Sequence, residues 1–247
     1  MHKTACIGAD KIVCFFGMIL FNDTKDDIEA IIFDMDGVLL DSETMTIECW
    51  RKAAREIGIA KDDIDEANTT CMGRNIADTV SYLDNRYKET IAHFDGMTFR
   101  KRTSALFIEM SEGKPIPLMP YARECLEALA KTPLKIALAS STRESTVRKE
   151  LAQVDLLRYF QTITTGDMVE HSKPAPDIYL KAASSLGIAP EKCVAVEDSP
   201  NGATSAVRAG IKCILVPDKL QPTNELRAAM WKVLPSLEAL CSCGGNL

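Results

Sequence analysis

The sequence predicts an α/β protein: a doubly wound parallel sheet carrying an inserted, small all-helical domain. Three observations carry this. Short apolar runs at 29–33, 134–139 (LKIALA), 193–196 (CVAV) and 211–216 (IKCILV) have the continuity of strands covered on both faces. Amphipathic helical patterns separate them, and strand–helix–strand repetition with short links implies parallel pairing. Between 42 and 112 the strand pattern stops and only helical spacing recurs.

The first run ends on Asp34 and Asp36, followed by Gly37. An ionised carboxylate is costly to bury unless a cation or a set of donors meets it. Two acids two residues apart at a strand end therefore ask for a metal, a reaction, or both.

The insertion follows at once. Met45, Cys49, Trp50, Ala53 and Ile57 recur at helical spacing, as do Ile76, Val80 and Leu83, and Phe99, Leu106 and Met110. The stretch 113–120, with three prolines, closes it. The predicted limits are an N-terminal extension over 1–28, a core over 29–44 plus 113–247, and a helical cap over 45–112.

Past the second run, Ser141 and Glu144 have the spacing of a capping box ahead of Val147, Leu151 and Val154. Pro176 opens the next helix, with Ile178, Ala182 and Leu186 on one face and Gly187 as its stop. Ser199 and Pro200 form a cap and first-turn pair, and Gly210 ends that helix.

Composition narrows the functions open to the chain. A net charge of −6 argues against nucleic acid or an anionic membrane as its main partner. Nine cysteines without a CxxC pair are those of a reduced, cytoplasmic protein, several of them acting as small hydrophobes. The apolar stretch 12–21 is about half of what a membrane span needs, and no small-residue cleavage site follows it. It is expected to be an added segment, docked or loose, and Met18 is an alternative start. His2, His93 and His171 are assigned no role, and a monomer is expected.

In a parallel sheet, ligands bind beyond the carboxyl ends of the strands. Asp34 and Asp36 follow the first strand; Ser140, Ser141, Thr142 and Arg143 follow the second; Glu197, Asp198 and Ser199 follow the third. Lys173, at Ser172-Lys173-Pro174, is expected to open the helix that feeds the third strand. Taken singly, each group has an ordinary reading as a turn or helix cap. Taken in order, they should converge on one edge. Carboxylate and carbonyl oxygens suit Mg²⁺, while a hydroxyl, a lysine and backbone N–H groups suit phosphate oxygens. That chemistry is phosphoryl transfer.

With these motifs in place the chain resembles the haloacid dehalogenase superfamily, in the branch of beta-phosphoglucomutase and small sugar-phosphate phosphatases. The residues that carry the likeness are DMDGVLLDSE (34–43), ALASST (137–142), SKPAPDIYL (172–180) and VEDSPNGATSAVRAG (196–210). The resemblance implies that Asp34 is the nucleophile, forming an aspartyl-phosphate. It implies that Asp36 serves as acid and base, and that Ser140 and Lys173 bind the phosphoryl group, beside Ser141 and Thr142. Asp34, the carbonyl of Asp36, Asp198 and Glu197 would hold Mg²⁺. Asp41 and Ser42 fall at the hinge to the cap, and Gly73 and Arg74 match a cap loop that contacts substrate.

Phosphatase and mutase share these residues, so the cap decides. Beta-phosphoglucomutase-like sequences have a His where this chain has Thr46, and an Arg where it has Ile76. The expectation is a Mg²⁺-dependent phosphatase of a small phosphorylated metabolite, a sugar phosphate. Thr142 and Arg143 keep a phosphosugar mutase as the alternative. A receiver-like module phosphorylated on Asp is the non-enzyme alternative, though it would not need a cap.

Overall fold

The computed structural model describes residues 13–15, 18–21, 24–72 and 76–241, with side chains from 27 onward. Three short strands open it. β1 (Val13–Phe15), β2 (Met18–Phe21) and β3 (Thr24–Asp26) pair antiparallel in that order. The apolar stretch around 12–21 thus contributes strands. No helix among the described residues is long and apolar enough to cross a membrane.

Every position of β4 (Ala30–Phe33) is buried, as a strand covered on both faces requires. It lies inside a six-stranded sheet with β5 (Lys135–Ser140), β6 (Thr162–Thr165), β7 (Cys193–Glu197), β8 (Lys212–Leu215) and β9 (Lys232–Val233). The order is β6-β5-β4-β7-β8-β9, and every pairing is parallel. The chain runs outward from β4 on one side, then returns to build the other. The switch point is therefore the carboxyl end of β4, where Asp34 stands.

Strand alternation divides the sheet's faces. Ala30, Ala137, Ala139, Cys193, Ala195 and Cys213, with the larger Ile32 and Leu215 among them, form a mostly shallow face on which the apolar sides of two helices pack. Ile31, Phe33, Leu138 and Val196 alternate to the other face and are equally buried. Two strands escape the sequence patterns: Thr162–Thr165 is a polar-looking TITT, and Lys232–Val233 is two residues long.

The chain divides into two compact units, Met1–Leu40 with Leu118–Leu247, and Asp41–Pro117. The predicted insertion, 45–112, falls inside the second. That unit is all helix: α1 (Ser42–Glu56), α2 (Lys61–Cys71), α3 (Ile76–Tyr87) and α4 (Gly96–Ser111). Cys49, Trp50, Ala53, Ile64, Leu83, Tyr87, Phe99 and Leu106 make its core. The helix α2 was not foreseen. Two expected core positions need correction. Ile57 lies past the end of α1 and is exposed, and Ile76 is exposed too, because α3 turns Thr79, Leu83 and Tyr87 inward.

In the first unit, α5 (Ala122–Leu129), α6 (Glu144–Gln153), α7 (Asp177–Leu186), α8 (Pro200–Arg208), α9 (Asn224–Ala229) and α10 (Glu238–Cys241) accompany the sheet. The expected caps hold at Gly187, which takes a left-handed φ of 68°, and at Ser199, whose Oγ accepts from the Gly202 N–H at 3.1 Å. The expected capping box does not form. Arg143 is the residue ahead of α6, and the Glu144 N–H donates instead to Asp167 Oδ1 at 3.1 Å. Cys49, Cys71, Cys125, Cys193 and Cys213 are buried, and none of them is in a disulfide.

Candidate active site

The site starts where β4 stops. The Asp34 N–H donates to the Val196 carbonyl at 3.0 Å, which pins the nucleophile candidate to the neighbouring strand. The chain then turns tightly, with Leu39 and Leu40 both donating to the Met35 carbonyl. Gly37 sits in this turn at φ 76°, and a Cβ there would stand 2.3 Å from Asp198 Oδ2. Only glycine lets the turn close on that carboxylate.

Lys173 lies in the connection after β6, four residues ahead of α7 rather than at its first turn. Its ammonium reaches 2.7 Å from Asp34 Oδ1, 2.7 Å from Glu197 Oε1 and 3.0 Å from the Ala139 carbonyl. Glu197 is fully buried at the end of β7, and its Oε1 also accepts from the Tyr179 hydroxyl at 2.7 Å. Burial pushes the Asp34 carboxyl up, and the Lys173 charge pulls it back only in part. Burial works against the charge of Lys173, but Asp34 and Glu197 more than offset it and hold the ammonium protonated.

Asp34, Glu197 and Asp198 each offer one carboxylate oxygen, all within 4.8 Å of one another. Asp34 and Glu197 share the ammonium of Lys173, and Asp198 adds a third carboxylate beside them. A set of carboxylate oxygens so gathered fits a hard divalent cation such as Mg²⁺.

Asp36 is held separately. Its Oδ2 accepts from the Thr142 hydroxyl at 3.0 Å, and the Thr142 N–H donates to Ser140 Oγ at 3.1 Å. Ser140 is fully buried, whereas the Ser141 side chain is exposed and takes no part in these bonds. Arg74 lies outside the described residues. The ends of β4, β5 and β7 and the Lys173 connection thus meet, as their order along the chain predicts.

The sequence profile of the haloacid dehalogenase-like hydrolases matches residues 31–216. The chain belongs to that family. Among curated haloacid dehalogenase-like relatives, it is 33% identical to the phosphorylated carbohydrates phosphatase of Thermotoga maritima, over 76% of this chain and 84% of that one. It is 31% identical to hexitol phosphatase B of Escherichia coli K12, over 78% of this chain and 86% of that one. Among solved structures, CbbY of Rhodobacter sphaeroides in complex with xylulose-(1,5)bisphosphate aligns with a TM-score of 0.66 and 26% identity. That alignment covers 85% of this chain and 95% of CbbY. This haloacid dehalogenase-like chain is an enzyme of the phosphatase kind.

The helical unit adds Asn68, Thr79 and Arg100, which the sequence patterns did not single out. A cavity of about 190 Å³ there is lined by Thr46, Trp50, Asn68, Thr79 and Arg100, among others. Trp50 Nε1 and Arg100 Nε are buried and find no hydrogen-bond partner among the described residues. Burial also pulls the Arg100 guanidinium below its ordinary pKa. Trp50 reads as core by its spacing, and nothing local marks Arg100; only the fold brings the two together.

Proposed function

We propose that this enzyme is a Mg²⁺-dependent phosphatase that hydrolyses a sugar phosphate or similar small phosphorylated metabolite through an aspartyl-phosphate on Asp34. The observation that carries the reading is the cluster itself: Asp34 beside Lys173, with Glu197 and Asp198 alongside and Asp36 held by Thr142. Asp34, Glu197, Asp198 and the backbone carbonyl of Asp36 would hold the cation. When bound, Mg²⁺ offsets the negative charge that nucleophile and phosphoryl group bring together.

Asp34 attacks phosphorus, and the bond from phosphorus to the substrate oxygen breaks. Asp36 gives its proton to that leaving oxygen, so the sugar departs as an alcohol. Asp36 then takes a proton from water as the water attacks the phosphoryl group. The bond between Asp34 and phosphorus breaks and orthophosphate is released. Lys173 and Ser140 bind the phosphoryl group, with Thr142 keeping Asp36 oriented.

The sugar-phosphate substrate is supported by the names of the relatives. The engagement of Thr142 with Asp36 favours water over a second sugar hydroxyl as acceptor, since that hydroxyl is not held ready for a distal phosphate. The test is phosphate release, with and without Mg²⁺, from p-nitrophenyl phosphate and a panel of sugar and polyol phosphates. Asp34→Asn should lose at least about a thousandfold in kcat. Retention of most activity would exclude this mechanism. A single phosphoryl group taken up per chain would instead mark a receiver. Glucose 6-phosphate formed from beta-glucose 1-phosphate with its bisphosphate would mark a mutase. Preference for the aryl phosphate over every sugar phosphate would overturn the substrate class.

A further inference from the structure

Tyr179 lies on α7 and is fully buried, the bulkiest side chain in the shallow-face cluster. A phenol placed so deeply needs a partner for its hydroxyl. It finds Glu197 Oε1 at 2.7 Å, the same oxygen that accepts from Lys173 at 2.7 Å. The Lys173 ammonium also stands 5.1 Å from the centre of the Tyr179 ring, within reach of its negative face. One side chain thus touches both members of the buried ion pair.

Glu197 has little freedom to do anything else. It is fully buried, and a Cβ on Gly202 would lie 2.0 Å from its carboxylate oxygens. Its Oε2 has the Ser199 hydroxyl at 3.4 Å. The hydroxyl of Tyr179 therefore settles which oxygen faces Lys173.

An ammonium has three donors, and Lys173 has committed all of them: to Asp34, Glu197 and the Ala139 carbonyl. A phosphoryl oxygen can be received only when one acceptor is released. The Ala139 carbonyl belongs to a strand, and Glu197 is held by Tyr179. Asp34 is the acceptor that the phosphoryl group itself approaches, so its bond to Lys173 is the one that a phosphate oxygen can displace, and its charge is lost altogether when it becomes an acyl phosphate. We propose that Tyr179 is a positioning residue for phosphoryl transfer: by fixing Glu197, it reserves the proton that Lys173 aims at Asp34 for the phosphoryl group that joins it. This rests on the phosphatase reading above.

The test is orthophosphate affinity, by calorimetric titration of the full chain with Mg²⁺, for wild type, Tyr179→Phe, Glu197→Gln and the double variant. Tyr179→Phe keeps the ring and removes the hydroxyl. It should weaken orthophosphate binding roughly tenfold, the scale of one hydrogen bond to a charged group. The KM for p-nitrophenyl phosphate should rise in step. Mg²⁺ affinity, titrated without phosphate, should fall less than orthophosphate affinity, because only one of its carboxylates is touched. The double variant should bind orthophosphate no more weakly than Glu197→Gln alone, because Tyr179 acts through Glu197. Additive losses, unchanged orthophosphate affinity, or Mg²⁺ affinity that falls further than orthophosphate affinity would each overturn the proposal. So would a Tyr179→Phe chain that does not fold, since the hydroxyl would then serve the fold. A wild type that neither binds orthophosphate nor turns over would instead overturn the phosphatase reading, and this inference with it.

Discussion

Glu150 sits on the inner side of α6 with Val147 and Leu151, and burial pushes its carboxyl up to about 7. The charge of Asp36 acts in the same direction, and that of Lys149 opposes it. The folded state thus keeps a proton that the unfolded chain gives up near 4.5. Stability is unaffected by this group below that value, falls as pH rises from there towards 7, and stays reduced above it. Glu150→Gln should therefore raise stability at pH 8 by roughly 1–3 kcal/mol and leave it nearly unchanged at acid pH. Urea unfolding across pH would show it, and an equal gain at every pH would refute the account. Glu150 also marks where residue-level reading stops. Asp34, Asp36, Glu197 and Asp198 were legible because each stands in a short motif at a strand end, and Lys173 because it stands in a Ser-Lys-Pro motif ahead of a helix. A glutamate in a helix looks solvated, and a tyrosine beside Ile178 looks like core. The Tyr179 hydroxyl meets its acceptor 18 residues away, on another element.

Elements were legible to the degree that their local pattern matched their burial. The strand Ala30–Phe33 and the helix Asp177–Leu186 are continuous or periodic in apolar residues, and both stand where the patterns put them. Thr162–Thr165 was missed because threonine is polar in composition although well suited to a strand. The start of α6 was misjudged because its cap comes from outside the local sequence. Asp167, which follows β6 in the chain, accepts from Glu144 N and from the Thr165 hydroxyl at 2.6 Å. The start of α8 works the other way, with all its parts local. Ser199 caps the helix, Asp198 precedes it, and Gly202 in the first turn rests on the Glu197 carboxylate. Gly202→Ala improves helix propensity, so on that ground alone it would stabilise. Its Cβ would meet oxygens 2.0 Å away on a side chain with no room to retreat, and that contact should win. The variant is expected to lose about 1–3 kcal/mol of stability and most of its orthophosphate affinity. A variant of unchanged stability that binds orthophosphate normally would show that Glu197 can shift freely.

At the scale of the whole molecule, charge is distributed unevenly. The chain carries a net −6, yet much of its acidity on the surface is paired, as in Arg51 with Asp65 or Arg102 with Glu56. Such exposed pairs add little. The acidity that matters is gathered at the switch point, where Asp34 and Glu197 share the ammonium of Lys173 and Asp198 lies beside them. Bulk salt screens buried charges poorly, so the repulsion there should persist in ordinary buffer and be relieved only by an ion that enters the cluster. Mg²⁺ should then stabilise the protein in proportion to its occupancy, by about 2.7 kcal/mol at a hundredfold excess over its Kd. NaCl at matched ionic strength should do far less. Asp198→Asn tests this, because it removes one of the carboxylates that would hold the ion. The variant should be less stable than wild type in excess Mg²⁺ and nearly indifferent to a change from chelator to Mg²⁺. Urea unfolding in the two media measures both. If NaCl matches Mg²⁺, or if Asp198→Asn keeps the full response, the carboxylates are not acting as a cation site.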